Sequence, residues 1–358
     1  MRLLASLALF FGALCACASE PAAPAPSDTA DAGDEPLDCP PALASPKPRT
    51  GATPKGPLDD VLHVNQLQAK ATHNSYHLRP QGGVVDWRYS HAPLTTQLQD
   101  QGVRGVELDL RFDETCGRFQ VFHLPLLDPN TTCKVFTDCL AAIRTWSDAH
   151  PAHHVLFIHI EPKDGYEPAT GEARFAALER EVLSVFPREL VVTPDEVKGS
   201  APTLRHAVTT KGWPTLGQTR GRVLFYIDRS DAWRDAYAHG RKDLDGRLMF
   251  TDADEADPFA AVLVRNGALS DKDTISALVK KGFIVRTFAD KSVEGALAND
   301  RSQIAPALES GAQIVSTDFP AKVPETEYFF AIPGGSPSRC NPVTAPADCT
   351  SAAVESGI

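Results

Sequence analysis

Apolar residues recur along this chain in short runs, each closed by a polar turn and often followed by a longer stretch of helical period. The runs are LQAKATH, GVELDLRF, FQVFHLP, HVLFIHIEP, RVLFYID, RLMFTD, GFIVRTFAD and AQIVSTD. Between them lie amphipathic segments such as PLTTQLQDQG, which ends on Gly102, TDCLAAIRTWSDAH and GEARFAALEREVLSVF. Eight strands separated by helical segments predict an α/β fold of the (β/α)8 TIM-type barrel class. It is read as a single catalytic domain with its reactive groups at the C-terminal ends of the strands. The first two or three connections read as irregular, so the barrel should depart somewhat from strict alternation.

The start of the chain has a different pattern. Behind Arg2, an apolar run from Leu3 to Leu14 is too short to span a bilayer as a mature helix but suits a secretory signal over residues 1–16. The run ends in LCAC, which resembles the lipobox of bacterial lipoproteins, so cleavage before Cys17 would leave that thiol lipidated. Ordinary cleavage nearby, with Cys15 and Cys17 both discarded, is the alternative. Neither Ala18 nor Ser19 is an acidic sorting signal, so the expected location is that of an outer-membrane or cell-surface lipoprotein of a bacterium. Residues 17–57, rich in Pro, Ala, Ser and Asp, cannot bury enough apolar surface to fold and are read as a tether. The barrel is expected over 58–328, and 329–358 as a C-terminal tail closed by a disulfide.

Of eight cysteines, six remain if Cys15 leaves with the signal and Cys17 takes lipid. An even number in an exported chain predicts disulfides. Short separations favour Cys133–Cys139 and Cys340–Cys349, which leaves Cys39–Cys116; free buried thiols are the alternative. The chain has no CxxC pair, which argues against zinc. A net charge of −11 without a polybasic segment argues against nucleic acid as a partner, and a monomer is expected.

The strand periods place the polar residues. In GVELDLR, a period of two sets Gly105, Glu107, Asp109 and Arg111 on one face and Val106, Leu108 and Leu110 on the other. Two inward carboxylates two residues apart require a compensating cation, for which a salt-bridge ladder to Arg111 is the plain alternative. HVLFIHIEPKD places Phe157, His159 and Glu161 on one face, with Glu161 at the strand end and His159 one layer deeper, where it reads as a satisfied core histidine. His123 stands just before the Leu-Pro that ends its run. Together with His73 and Asn74 of ATHNSYH, one rim then carries His73, Asn74, Glu107, Asp109, His123 and Glu161.

HNSY on the first run, ExD on the second, His before Leu-Pro on the third and Glu on the fourth resemble, in this order, phosphatidylinositol-specific phospholipase C. The likeness is to its bacterial calcium-dependent members, and GWPTLGQTRGRVLFYID, GFIVRTFAD and AQIVSTDFP extend it over about Leu67 to Pro320. The resemblance implies His73 and His123 as the catalytic pair and Asn74, Glu107, Asp109 and Glu161 as Ca2+ ligands. It also implies a phospholipid head group at a membrane surface as substrate, cleaved by its own inositol 2-hydroxyl. An amide oxygen and three carboxylates suit calcium, which takes hard oxygen ligands in loose geometry. Lys163, Arg286 and Asp290 are candidates for phosphate or inositol hydroxyls, with a solvated lysine and a structural ion pair as their plainer readings. Where bacterial relatives often read Arg-Thr-Arg-Ala-Asp, this chain has Arg286, Thr287, Phe288, Ala289 and Asp290, one cation fewer at the mouth.

Two other readings use the same residues. A glycerophosphodiester phosphodiesterase or sphingomyelinase D-like phospholipase has a similar set, although the former typically shows His-Arg where this chain has His73-Asn74. A non-catalytic surface lipoprotein could keep the barrel as a binding module.

Overall fold

Ten strands join into one sheet that rolls up on itself. They are β1 (Leu67–Thr72), β2 (Gly105–Asp113), β3 (Arg118–Val121), β4 (Leu156–Pro162), β5 (Val223–Ile227), β6 (Phe250–Thr251), β7 (Val262–Val264), β8 (Ile284–Phe288), β9 (Ile314–Thr317) and β10 (Ser338–Cys340). This is a computed structural model, and it describes residues 39–51, 53–240, 242–334 and 337–355. The expected signal peptide, Cys17 and the tether up to residue 38 lie outside the described residues. The chain divides into Met1–Cys39 and Pro40–Ile358, and the sheet belongs to the second unit.

Eight strands run in the order β6-β5-β4-β2-β1-β9-β8-β7, all parallel, and a parallel bridge from Asp252 to Val262 brings the two ends together. The result is a nearly closed TIM-type barrel. Seven of its strands fall in the expected runs. FQVFHLP is the exception, because β3 folds back antiparallel on β2, pairing Leu110 with Val121 through Asp113 with Arg118. That hairpin extends β2 beyond the barrel mouth. The missing barrel strand is β7, three residues that are too few for a period to show.

Side-chain alternation on β2 builds both the core and the site. Val106, Leu108 and Leu110 are 0–2 % exposed in the main hydrophobic core, each contributing roughly 1.5–3 kcal/mol of burial. Gly105 is needed lower in the barrel, where a Cβ would stand 2.7 Å from that of Ala71. The expected helices form at Leu94–Gln99, Phe136–Ala149 and Gly171–Val185. In the second, Phe136, Leu140, Ile143 and Ser147 make a buried stripe with helical spacing. No described helix is long and apolar enough to cross a membrane.

The C-terminal segment is part of the barrel wall. Between β1 and β2 the pairing is reduced to Ala71 with Gly105, and β10 pairs antiparallel with the first half of β1, Leu67 with Cys340 through Ala69 with Ser338. Farther along, Glu355 accepts hydrogen bonds from Arg104 Nε at 3.0 Å and ion-pairs with its Nη2. Disulfides join Cys133 to Cys139 and Cys340 to Cys349, as their spacing predicts. Cys39 and Cys116 are each part of a disulfide as well. Such bonds persist in oxidising compartments, which fits an exported protein.

Candidate active site

Of the expected rim residues, His73 and Asn74 follow β1, Glu107 and Asp109 lie on β2, His123 follows β3 and Glu161 stands near the end of β4. At the end of β1 the chain turns through Asn74, whose φ of 43° is left-handed. Asparagine tolerates that region better than most residues. This turn solves the problem of two neighbouring side chains facing one site, because His73 and Asn74 would diverge on a regular strand.

His73 Nδ1 lies 2.7 Å from Asp318 Oδ1, and its Nε2 is 3.7 Å from Glu107 Oε1. Burial opposes charge on this ring, but the Asp318 and Glu107 carboxylates outweigh it and raise the pKa to about 9. His123 has a matching support: its Nδ1 lies 2.9 Å from Asp128 Oδ2. Its carbonyl accepts bonds from Arg111 Nε and Nη2 at 3.0 and 2.7 Å. Burial holds the His123 pKa below its ordinary value despite Asp128. Each imidazole is thus held through Nδ1 by a carboxylate, which leaves Nε2 for chemistry.

Glu107, Asp109 and Glu161 form the acidic centre of the mouth, with one oxygen from each lying within 4.8 Å of the others. Glu107 is the best supported of the three. It accepts a 2.6 Å bond from Arg286 Nη2 and lies 3.0 Å from His159 Nδ1. Burial opposes its charge, but His159, His73 and Arg286 hold its pKa well below the usual range. His159 also stands 3.2 Å from Asp228 and is charged, with a pKa of about 9. Its place behind Glu107 agrees with a core role. Asp109 is different. Lys163 Nζ lies 2.9 Å from its Oδ2 and 2.6 Å from Glu161 Oε1, yet neither buried Asp109 oxygen accepts a well-directed hydrogen bond. Burial pushes its pKa up to about 7 against the pull of Lys163. Arg111 does not compensate these carboxylates, because it turns to His123 and Asp164.

A cluster of three carboxylates, two of them buried and one without a well-directed hydrogen bond, fits a hard divalent cation. The Asn74 amide oxygen joins its edge, 3.4 Å from the Tyr76 hydroxyl, and that hydroxyl is influenced by the neighbouring Asp109 charge.

Among the expected head-group residues, Lys163 stands inside the acidic cluster. Arg286, 2 % exposed, is committed to Glu107 and Asn266. Asp290 turns into the barrel wall, where its carboxylate accepts from Thr317 Oγ1, the Asp318 amide and the Tyr328 hydroxyl. It braces Asp318 and does not face the mouth. Phe288 packs edge-on to His73, with ring centroids 5.1 Å apart, and lies 4.0 Å from the Arg286 guanidinium carbon. Sequence reasoning missed Asp318 and Asp128. Asp318 had a signal, as an acid at the end of the AQIVSTD run, whereas Asp128 sits in a loop without a period.

The model of the calcium-dependent phosphoinositide phospholipase C family matches residues 62–121 and 119–342. A calcium-dependent phosphoinositol-specific phospholipase C from a Pseudomonas species superposes with a TM-score of 0.57 at 19% identity, covering 81% of this chain and 100% of that one. A calcium-dependent phosphatidylinositol-specific phospholipase C from Streptomyces antibioticus gives 0.54 at 22%, covering 73% and 96%. No curated protein matches. The solved structures support the barrel, and the family model covers most of the sequence, so the chain belongs to the calcium-dependent phosphoinositide phospholipase C family.

Proposed function

We propose that this protein is a calcium-dependent phosphodiesterase that cleaves phosphatidylinositol to diacylglycerol and inositol 1,2-cyclic phosphate. The observation that carries the reading is the pairing of two carboxylate-anchored histidines, His73–Asp318 and His123–Asp128, with one acidic cluster. Asn74, Glu107, Asp109 and Glu161 are the proposed calcium ligands. Bound calcium would acidify the inositol 2-hydroxyl and offset negative charge on the phosphoryl oxygens.

The protein's own groups handle the protons. As the 2-hydroxyl oxygen bonds to phosphorus, one histidine takes its proton. As the bond from phosphorus to the diacylglycerol oxygen breaks, the other gives a proton to the leaving oxygen. Asp318 and Asp128 keep Nε2 of each ring turned to the phosphate, and Arg286 with His159 fixes Glu107. Lys163, 18 % exposed at its side chain, supplies a cationic contact to the phosphate.

The enzyme acts as a monomer at a lipid surface, held by a lipid on Cys17. Cys17→Ser should release it from the membrane fraction while the soluble domain keeps its activity; a wild-type chain that is already soluble and begins elsewhere would refute the anchor.

The decisive experiment follows phosphorus during turnover. A five-membered cyclic phosphate should precede any open inositol phosphate. His73→Ala and His123→Ala should each slow the chemical step by about a hundred- to ten-thousandfold, non-additively, while calcium binding persists. Open phosphate appearing first, with solvent oxygen incorporated, would show direct hydrolysis instead.

A further inference from the structure

Between the loop that follows β1 and the loop that follows β9 lies a cavity of about 150 Å³. It is lined by His91, Gln101 and Asp318 and, among exposed charged residues, by Arg79, Arg88, Lys322 and Glu325. His91 is 3 % exposed. Its Nε2 meets the backbone carbonyl of His73 at 2.8 Å, and a carbonyl can only accept, so this nitrogen carries the proton. Nδ1 is then a buried lone pair, and it has no hydrogen-bond partner. Burial, opposed by the Asp318 charge, pushes the ring's pKa down to about 4, so at neutral pH Nδ1 remains an acceptor. Gln101 Oε1 is a second buried acceptor without a partner.

The lining arginines have the opposite need. Arg79 and Arg88 are exposed, and among the described residues neither guanidinium has a carboxylate or carbonyl partner, whereas Arg104, Arg220, Arg247 and Arg286 are each paired with an acid. Two unmet buried acceptors and free guanidinium groups in one lining define complementary chemistry. Hydroxyl groups would serve the acceptors, and an anion the guanidinium groups.

From this juxtaposition we propose that the cavity is a separate binding site for a hydroxylated phosphate ester, its hydroxyls donating to His91 Nδ1 and Gln101 Oε1 and its phosphate held by Arg79 and Arg88. Such a ligand could be a free polyol phosphate or the head group of an anionic lipid beside the substrate. The site adjoins both supports of the first catalytic histidine, since Asp318 lines it and His91 holds the His73 backbone. Occupancy therefore stiffens His73 and raises turnover. The binding claim is independent of the phosphodiesterase reading, because it is measured directly.

The test is calorimetry on the calcium-loaded protein with sn-glycerol 3-phosphate, and sedimentation with vesicles of phosphatidylglycerol in phosphatidylcholine. Binding in either arm is expected and identifies the source. The double variant Arg79→Gln/Arg88→Gln should lose at least tenfold in affinity while keeping its melting temperature. Phosphocholine, which has a phosphate but no hydroxyl donors, should bind at least tenfold more weakly than glycerol 3-phosphate. No binding in either arm, binding unaffected by the double variant, or equal binding of phosphocholine would each overturn the proposal.

Discussion

His123 shares its carboxylate: Asp128 lies 2.9 Å from His123 Nδ1 and also receives Nε2 of the fully buried His77 at 3.0 Å. The His77 Nδ1 in turn meets the carbonyl of Tyr89 at 3.1 Å. One acid therefore ties the His123 loop to the loop that carries Asn74 and Tyr89.

Asp128→Asn should consequently lower kcat by about tenfold or more through a misdirected His123, with little change in KM. Replacement by alanine should also destabilise the fold by about 1–3 kcal/mol, because buried His77 loses its partner. Steady-state kinetics and urea unfolding separate the two effects. Unchanged kcat in the Asn variant would show that His123 needs no orientation.

The acidic cluster predicts that excess chelator abolishes turnover and that calcium raises the melting temperature. At a hundred times its dissociation constant, calcium should stabilise the protein by about 2.7 kcal/mol. Asp109→Asn should remove most of this shift while the fold survives, since that side chain lacks well-directed hydrogen bonds. Full activity in chelator would refute the metal site.

Leu126 and Leu127 follow His123 in its loop and are 95 % and 65 % exposed. Two such side chains beside the site suit a lipid surface. Leu126→Asp/Leu127→Asp should weaken binding to phosphatidylinositol vesicles by roughly tenfold or more, given the 1.5–3 kcal/mol each leucine gains on burial. Turnover of a soluble short-chain substrate should not change. Equal losses on both substrates would point to a distorted loop instead.

Acid stability should depend on Glu355. Burial raises the pKa of this carboxyl, but Arg104 lowers it more, to about 2 from the usual 4.5. Because the folded value is depressed, its stabilisation is present above pH 4.5 and is lost as pH falls towards 2. The contribution is on the order of 3 kcal/mol. Thermal unfolding of wild type and Glu355→Gln between pH 2 and 7 should show curves that converge at the acid end. A constant gap would contradict the coupling.

The sequence made the barrel legible where strands were long enough to show a period. β2 and β4 declared both their faces and their inward acids. β7 escaped because three residues carry no period, and β3 was mistaken for a barrel strand because its alternation is the same in a hairpin. His73, Asn74, His123 and Glu161 were legible because they stand at or just beyond strand ends. What was not legible was their support, since Asp318, Asp128, His77 and His91 act through pairings brought together by loops. Asp290 shows the converse: the strand end on which it sits pointed to the mouth, but Thr317, Tyr328 and the Asp318 amide claim it for the wall.

The antiparallel strand at Ser338–Cys340 gives the barrel a clasp made far downstream of the strand it pairs with. Arg104 and Glu355 are 251 residues apart in sequence, so the gap between the first two parallel strands can be filled only after the other barrel strands have been synthesised. Contacts this distant are slow to form, and chains are built from the N-terminus. Until residues 338–355 have been made, the unfinished cylinder stays open at the edge between β1 and β2.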